Sequence, residues 1–171
     1  MRPKTECILM KVFFDSSAFA KRYVKERGSD EVEKICLTAS SIALAVICIP
    51  EIVSAFCRYK RELLLSKQQY ELLKMTVLNE TRDILLINLT ASVIKQAVEL
   101  LENNTLRSSD ALHIACALEW KADLFVSSDK EQILAARKEG IKTRYIPFQG
   151  CRLGFTKRRG GNTYPQPKKI L

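Results

Sequence analysis

The sequence contains no long apolar run, a single histidine and no closely spaced pair of cysteines. Its longest uninterrupted apolar segment runs only from Ile42 to Ile49, whereas a helix needs about 20 such residues to span a bilayer. The first ten residues also lack the basic, apolar and small-residue regions of a secretion signal. These absences argue against insertion in a membrane and against export, so the sequence predicts a cytoplasmic protein.

The cysteines and the lone His113 do not form a pattern typical of zinc sites, because no two cysteines have Cys-x-x-Cys spacing. Most cysteines lie in apolar stretches, where a free cysteine packs as a small hydrophobic residue. We therefore expect reduced, packed cysteines, with a disulfide as the alternative in a hyperthermophile. The six cysteines are Cys7, Cys36, Cys48, Cys57, Cys116 and Cys151.

The composition is that of one soluble domain with an uneven charge. The chain has 171 residues, of which 47% are hydrophobic and 27% charged, and its net charge is +9. We expect an N-terminal extension over residues 1–9, a folded domain over 10–147 and a flexible basic tail over 148–171. The tail has no acidic residue, and its glycines and prolines favour flexibility. Polyanions such as RNA are plausible partners for it, and a solubilising tail is the alternative. Its basic residues are Arg152, Lys157, Arg158, Arg159, Lys168 and Lys169.

Short apolar segments alternate with amphipathic ones along the whole domain. The predicted strands are Ile8–Phe14, Ile42–Ile49, Ile84–Ile87, Asp123–Ser127 and Ile141–Ile146. Seven helices are predicted: Ser16 to about Glu26, Asp30 to about Thr38, a helix that begins at Pro50, Lys67–Arg82, Thr90–Asn103, Ser108–Trp120 and Lys130–Glu139. The helix over Ser108–Trp120 is apolar around most of its circumference, so we expect it to be central and buried. Such alternation predicts parallel strands in a three-layer α/β/α domain.

Four acidic residues stand at or near predicted helix starts: Asp15, Glu51, Asp110 and Asp129. Taken singly, each is explained by helix capping. Asp15, Glu51 and Asp129 also follow strands, however, and open parallel sheets bind ligands at the carboxyl ends of their strands. Converging carboxylates repel each other unless a cation neutralises them, and an oxygen-only ligand set favours Mg²⁺ or Mn²⁺. Such ions promote phosphodiester hydrolysis.

The segments around these acids carry a family resemblance. The first is Val12-Phe13-Phe14-Asp15-Ser16-Ser17-Ala18, with Lys21-Arg22-Tyr23 after it. The others are Pro50-Glu51-Ile52-Val53-Ser54-Ala55, Leu106-Arg107-Ser108-Ser109-Asp110-Ala111-Leu112-His113-Ile114-Ala115 and Leu124-Phe125-Val126-Ser127-Ser128-Asp129-Lys130. From about Met10 to Pro147 the chain resembles a PIN-domain ribonuclease, specifically the VapC-type toxin of a type II toxin–antitoxin pair. The resemblance implies a five-stranded parallel sheet in the order 3-2-1-4-5. It also implies an endoribonuclease dependent on Mg²⁺ or Mn²⁺, a homodimer, and an antitoxin partner.

The resemblance also assigns roles to individual residues. Asp15, Asp110 and Asp129 are expected to bind metal, and Glu51 to bind metal or to orient the attacking water. His113 is expected to be packed or hydrogen-bonded rather than to act as a general base.

Five further residues near the acids are candidates for contact with RNA. Ser17 and Ser127 lie beside acids, and each has two alternative roles of equal weight: a role in the site, or simple capping by local hydrogen bonds. Lys21, Arg22 and Arg107 are candidate phosphate-binding residues, with a solvated surface position as the alternative for each.

Three other interpretations of the domain compete with a nuclease. One keeps the fold but makes it a catalytically inactive RNA-binding or scaffolding module whose acids are only caps. A receiver-like domain is disfavoured because Asp15 stands alone and Asn88 and Pro147 occupy the positions of its aspartate and lysine. Dinucleotide binding is disfavoured because no glycine-rich turn follows the first strand.

Apolar residues of the helices between Ser17 and Arg82 exceed what a small sheet is expected to cover. We therefore predict an exposed apolar surface there, available for pairing or for a small partner. The residues on which this prediction depends are Tyr23, Val24, Tyr70, Leu72 and Leu73.

Overall fold

The computed structural model describes residues 10–147. Five parallel strands form one sheet in the order β3-β2-β1-β4-β5, which confirms the predicted topology. The strands are β1 Lys11–Phe14, β2 Ser41–Ala45, β3 Leu85–Ile87, β4 Leu124–Ser127 and β5 Lys142–Tyr145. Because all of them run the same way, their carboxyl ends lie along one edge, called here the carboxyl edge.

Helices cover both faces of the sheet, so the three-layer architecture is also confirmed. One apolar core lies between the sheet and the first four helices, and the other lies between the sheet and the last three. The helices are α1 Ser16–Phe19, α2 Ser29–Thr38, α3 Cys48–Arg61, α4 Lys67–Glu80, α5 Ala91–Asn103, α6 Ser108–Glu119 and α7 Lys130–Lys138. Short 3₁₀ turns follow α1, over Ala20–Arg22, and α4, over Thr81–Asp83.

The predicted second strand, Ile42 to Ile49, was too long. β2 ends at Ala45, and Cys48 and Ile49 already belong to α3. A continuous apolar run does not distinguish a buried strand from the buried start of a helix, and here it contains both. Pro50 lies in the first turn of α3, as expected.

The predicted helix from Ser16 to Glu26 is interrupted. It ends at Phe19 and passes into the 3₁₀ turn, and beyond that turn a side chain, rather than a helix, satisfies part of the backbone. The Ser29 hydroxyl donates to the carbonyl of Val24 and accepts from the backbone N–H of Glu26. Gly28, at φ 90°, is the N-cap residue that precedes α2.

Helix α6 is central and buried, as its nearly all-apolar circumference predicts, and it packs on α5 and β2. The expectation of exposed apolar residues was wrong for Tyr23, Val24, Tyr70 and Leu73, which are buried, whereas Leu72 is 51% exposed. These four residues pack in the apolar core that the first four helices form against one face of the sheet.

Several expectations lie partly or wholly outside the described residues: the start of the first strand at Ile8, the extension 1–9, the tail 148–171, Cys7 and Cys151. The other four cysteines are unbridged. Among residues 10–147, no helix is long and apolar enough to cross a membrane.

Candidate active site

Asp15 lies directly after β1 and uses both of its carboxylate oxygens. Its Oδ1 accepts from the backbone N–H of Ala18, 2.9 Å away, which caps α1. Its Oδ2 accepts from Ser17 Oγ at 2.6 Å, Ser127 Oγ at 3.0 Å and Gln132 Nε2 at 3.1 Å. Burial raises the pKa of Asp15 above its usual value, although His113 and the donated hydrogen bonds act against it. Asp15 is therefore a buried carboxyl group held by side chains from three parts of the chain.

Asp129 lies at the same carboxyl edge because β1 and β4 are neighbours. The backbone N–H of Asp15 donates to the carbonyl of Val126 at 3.0 Å, which joins the two strand ends. Asp129 Oδ1 accepts from the backbone N–H groups of Glu131, at 2.8 Å, and Gln132, at 3.2 Å, and so caps α7. The end of β4 thus places a second aspartate beside the first.

Asp110 reaches the carboxyl edge from the first turn of α6. Its Oδ2 accepts from the backbone N–H of Arg107 at 3.2 Å, and its Oδ1 accepts from Gln132 Nε2 at 3.0 Å. Burial is the largest cause that raises the pKa of Asp110 to about 6, and the negative charges of Asp129 and Asp15 add to the effect. The packing of α6 therefore brings the third aspartate to the other two.

Gln132 joins these aspartates, and the sequence reasoning missed it. The spacing of Asp129 and Gln132 matches a capping box, in which the glutamine side chain would return to its own helix start. Instead its amide nitrogen donates to both Asp15 and Asp110. A polar residue on the buried face of α7 was the one signal that could have indicated this role.

Glu51 belongs to a neighbouring group with Ser16 and His113. It lies in α3 beyond the end of β2, so it does not directly follow the strand. Glu51 Oε2 accepts from Ser16 Oγ and from His113 Nε2, 2.8 Å away. Burial would raise the pKa of Glu51, but hydrogen bonds from His113, Ser16 and Ser109 and the charge of His113 hold it below its usual value. His113 is buried and hydrogen-bonded, as expected.

Ser17 and Ser127 connect Asp15 to the backbone after β4. Ser17 Oγ donates to Asp15 and accepts from the backbone N–H of Ser128 at 3.1 Å. Ser127 Oγ donates to Asp15 and accepts from the backbone N–H of Asp129 at 2.9 Å. Both hydroxyls therefore fix the position of an acid.

The three basic candidates occupy different environments. Lys21 is fully buried, with Nζ donating to Glu26 Oε1 at 2.8 Å and to the carbonyl of Arg27 at 3.3 Å. Arg22 is half-buried and pairs with Glu80 at 3.2 Å. Arg107 is exposed and lies at the start of α6, three residues before Asp110. Of the three, Arg107 is the one that combines exposure with proximity to an aspartate of the site.

The donor set suits a hard divalent cation, because Asp15, Asp110 and Asp129 offer only carboxylate oxygens and lie close enough for the charges of Asp15 and Asp129 to act on Asp110. Within residues 10–147, however, no three acidic, thiol or imidazole side chains form a ready-made metal-binding group. The amide nitrogen of Gln132 bridges Asp15 and Asp110, so each of these carboxylates already accepts a hydrogen bond from an amide donor.

Comparison with known proteins gives one family and one fold. The sequence model of the PIN domain family matches residues 12–138. No curated protein sequence matches the chain.

Several solved structures share the fold at low identity. A toxin–antitoxin complex of Klebsiella pneumoniae is 15% identical, with a TM-score of 0.54 over 71% of this chain and 89% of that one. The sarcin-ricin-loop-cleaving toxin VapC20 of Mycobacterium tuberculosis is 13% identical, with a TM-score of 0.56 over 72% and 94%. VapBC-1 of nontypeable Haemophilus influenzae is 10% identical, with a TM-score of 0.58 over 80% and 98%.

Proposed function

The chain belongs to the PIN domain family, and from that premise we propose that it is a metal-dependent endoribonuclease that hydrolyses RNA phosphodiester bonds. We further propose that it is the toxin of a toxin–antitoxin pair. The observation that carries the enzymatic proposal is the convergence of Asp15, Asp110 and Asp129 at the carboxyl edge of β1 and β4. Toxins among the structural neighbours, one of which cleaves the sarcin-ricin loop, support RNA as the substrate.

In this proposal Asp15, Asp110 and Asp129 hold Mg²⁺ or Mn²⁺. The bound ion would supply positive charge at the phosphoryl group and lower the pKa of a coordinated water. Ser17 and Ser127 keep the Oδ2 atom of Asp15 in place, so that carboxylate loses little conformational freedom on binding. Arg107, exposed beside Asp110, is the proposed contact for a substrate phosphate.

Glu51 is proposed to orient the attacking water. Its lowered pKa keeps it ionised near neutral pH, so it can accept a hydrogen bond from that water. Ser16 and His113 both contact Oε2 and thereby fix the direction of the carboxylate. The alternative role for Glu51, as a fourth ligand of the ion, uses the same oxygens.

A catalytically inactive RNA-binding or scaffolding module is the second candidate. It is favoured by the helix caps, since Asp15 and Asp129 both accept backbone hydrogen bonds at the start of a helix. Those caps use Oδ1 of each aspartate. Helix capping does not explain why Asp15 Oδ2 and Asp110 Oδ1 both accept from the side-chain amide of Gln132.

Cleavage of RNA by the purified chain, with and without added Mg²⁺ or Mn²⁺, distinguishes the two candidates. We expect cleavage that requires the ion and that falls at least about 100-fold in Asp15→Asn and in Asp110→Asn. Asparagine keeps the size and the capping oxygen but removes the charge that holds the ion. Asp83→Asn is the matched control, because Asp83 is exposed and lies in the 3₁₀ turn after α4, and this variant should retain wild-type cleavage.

Two outcomes would contradict the enzymatic proposal. One is full activity in a folded Asp15→Asn or Asp110→Asn protein. The other is RNA binding without cleavage in the wild type under every ion tested, which would favour the binding module.

A homodimer and an antitoxin are the proposed protein partners. Large exposed apolar side chains support both partners, because association would remove this apolar surface from water. On α4, Leu72, Met75 and Leu78 form one exposed stripe, and on α5, Ile94 and Val98 begin another. We expect light scattering to give the mass of two chains, and a monomer at all micromolar concentrations would contradict the pairing.

A further inference from the structure

Gln132 contacts all three aspartates of the proposed site. Its backbone N–H donates to Asp129 Oδ1 at 3.2 Å, while Nε2 donates to Asp15 Oδ2 at 3.1 Å and to Asp110 Oδ1 at 3.0 Å. These aspartates come from three separate segments of the chain. A single residue therefore links the end of β1, the start of α6 and the start of α7.

The side chain of Gln132 is buried, and its polar contacts are made with the two carboxylates. Only 3% of the residue is exposed, and the neighbours that share the buried face of α7 are Ile133, Ala135 and Ala136. Burial of a carboxamide is unfavourable unless it forms hydrogen bonds. Its Oε1 is buried without a hydrogen-bond partner among the described residues, so the two carboxylates account for the polar contacts of this side chain. An apolar residue at this position would leave both carboxylates without this donor.

We propose that Gln132 is a positioning residue that holds Asp15 and Asp110 together in the cation-free site, and that its amide must withdraw before both oxygens can ligate a cation. The inference rests on the proposed function, which assigns a cation to these aspartates. The amide nitrogen bonds to Asp15 Oδ2 and Asp110 Oδ1, whereas the other oxygen of each aspartate accepts a backbone N–H, so a cation that took Oδ2 and Oδ1 as ligands would compete with the amide. Hydrogen bonds to charged groups are among the stronger ones in proteins, so their loss opposes cation binding.

Removal of the carboxamide should thus lower the stability of the cation-free protein and raise its affinity for a cation. Gln132→Met keeps the length of the side chain, the helix propensity and the backbone N–H that reaches Asp129. We expect the dissociation constant for Mn²⁺, measured by calorimetry on the full chain at pH 8, to fall on the order of tenfold. The melting temperature without added cation should fall at the same time. A residue with a merely structural role would lower the melting temperature and leave Mn²⁺ affinity unchanged.

Gln96→Met is the matched control. Gln96 is a half-buried glutamine on α5, and its Oε1 also lacks a hydrogen-bond partner among the described residues. The same chemical change there should leave the Mn²⁺ dissociation constant at its wild-type value.

The outcomes separate this inference from the proposed function. If the wild type binds no Mn²⁺, the metal assignment in the proposed function fails, and the inference fails with it. If the wild type binds Mn²⁺ but Gln132→Met binds it equally or more weakly, only the inference is overturned. Gln132→Leu repeats the test should the methionine variant not fold. Failure of both variants to fold even with Mn²⁺ present would also overturn the inference, because the carboxamide would then be needed in the cation-bound state.

Discussion

At the scale of single residues, Lys21 carries a charge in the interior of the protein. The residue is 0% exposed, and its ammonium group lies 2.8 Å from Glu26, whose side chain is also buried. Glu26 Oε2 has no hydrogen-bond partner among the described residues. Burial raises the pKa of Glu26 above its usual value, and the charge and hydrogen bond of Lys21 oppose that rise. The ion pair with Lys21 thus compensates much of the cost of burying the Glu26 carboxylate, while Lys21 also donates to the carbonyl of Arg27.

Lys21→Met should therefore destabilise the fold strongly, by about 3 to 5 kcal/mol at pH 8, because it leaves a buried carboxylate without its cation. A carboxyl pKa that is raised in the fold means that the folded state binds this proton more tightly than the unfolded chain. Ionisation of Glu26 therefore costs stability as pH rises. The loss caused by Lys21→Met should be smaller at pH 5, where Glu26 can protonate. Urea denaturation at the two pH values measures the difference.

Glu26→Gln in the background of Lys21→Met provides the control for this pair. It removes the unpaired charge, so part of the lost stability should return at pH 8 and little should change at pH 5. A loss in Lys21→Met that is equal at both pH values would show that packing of the lysine stem, rather than its charge, supports the fold.

The residues of the candidate site differ in how far the sequence predicted them. Asp15 and Asp129 were predictable because Asp15 directly follows β1, Asp129 lies two residues beyond β4, and parallel strands end at one edge. Asp110 required the family resemblance, since only the packing of α6 brings it to that edge. Gln132 could not be predicted, because its contacts join segments far apart in the chain and its spacing from Asp129 indicates an ordinary helix cap.

At the scale of elements, periodicity predicted the number and order of strands and helices, but the sheet order came from the family resemblance. Local sequence also failed where tertiary contacts decide the backbone. The apolar run after Ser41 divides between β2 and α3, and nothing in its composition marks the boundary at Ala45. The helix expected after Asp15 stops at Phe19 and continues as the 3₁₀ turn, and further on Ser29 bonds to the backbone of Val24 and Glu26 where the sequence predicts helix.

Two glycines at helix boundaries give a matched test of backbone strain and packing. Gly28 and Gly140 both have a left-handed backbone, at φ 90° and 83°. A Cβ on Gly28 would lie 2.4 Å from Cγ2 of the fully buried Ile146, whereas a Cβ on Gly140 would meet nothing within 4 Å. We expect Gly140→Ala to cost about 1 kcal/mol from the backbone alone. Gly28→Ala should cost a further 1 to 3 kcal/mol, roughly, from overpacking.

Urea unfolding of the two alanine variants under identical conditions isolates the steric contribution, because the backbone strain is common to both. Equal losses would mean that β5 moves away from the start of α2 at little cost. That result would contradict a rigid contact between Gly28 and Ile146.

At the scale of the whole molecule, the acids of the proposed active site and the end of β5 lie at one edge of the sheet. The aspartates lie at the carboxyl edge, and β5 ends at that edge with Tyr145 because the whole sheet is parallel. The described residues end at Pro147, two residues beyond β5. Carboxylates repel an approaching polyanion, so RNA binding needs basic residues elsewhere. The tail supplies six basic residues and no acid, whereas the rest of the chain has 22 basic residues against 19 acidic ones.

If the tail contributes to RNA binding, deletion of residues 151–171 should weaken RNA affinity and flatten its dependence on salt. Each lost phosphate contact removes the release of about one counterion, so the slope of log affinity against log salt should fall by about that number. Cleavage at saturating RNA should persist, because the four acids lie outside the tail. A full-length variant with the six basic residues replaced by glutamine separates charge from length and should behave like the deletion. Filter binding at several salt concentrations measures both variants. Unchanged affinity and slope in both would assign the tail to solubility or to contact with an antitoxin.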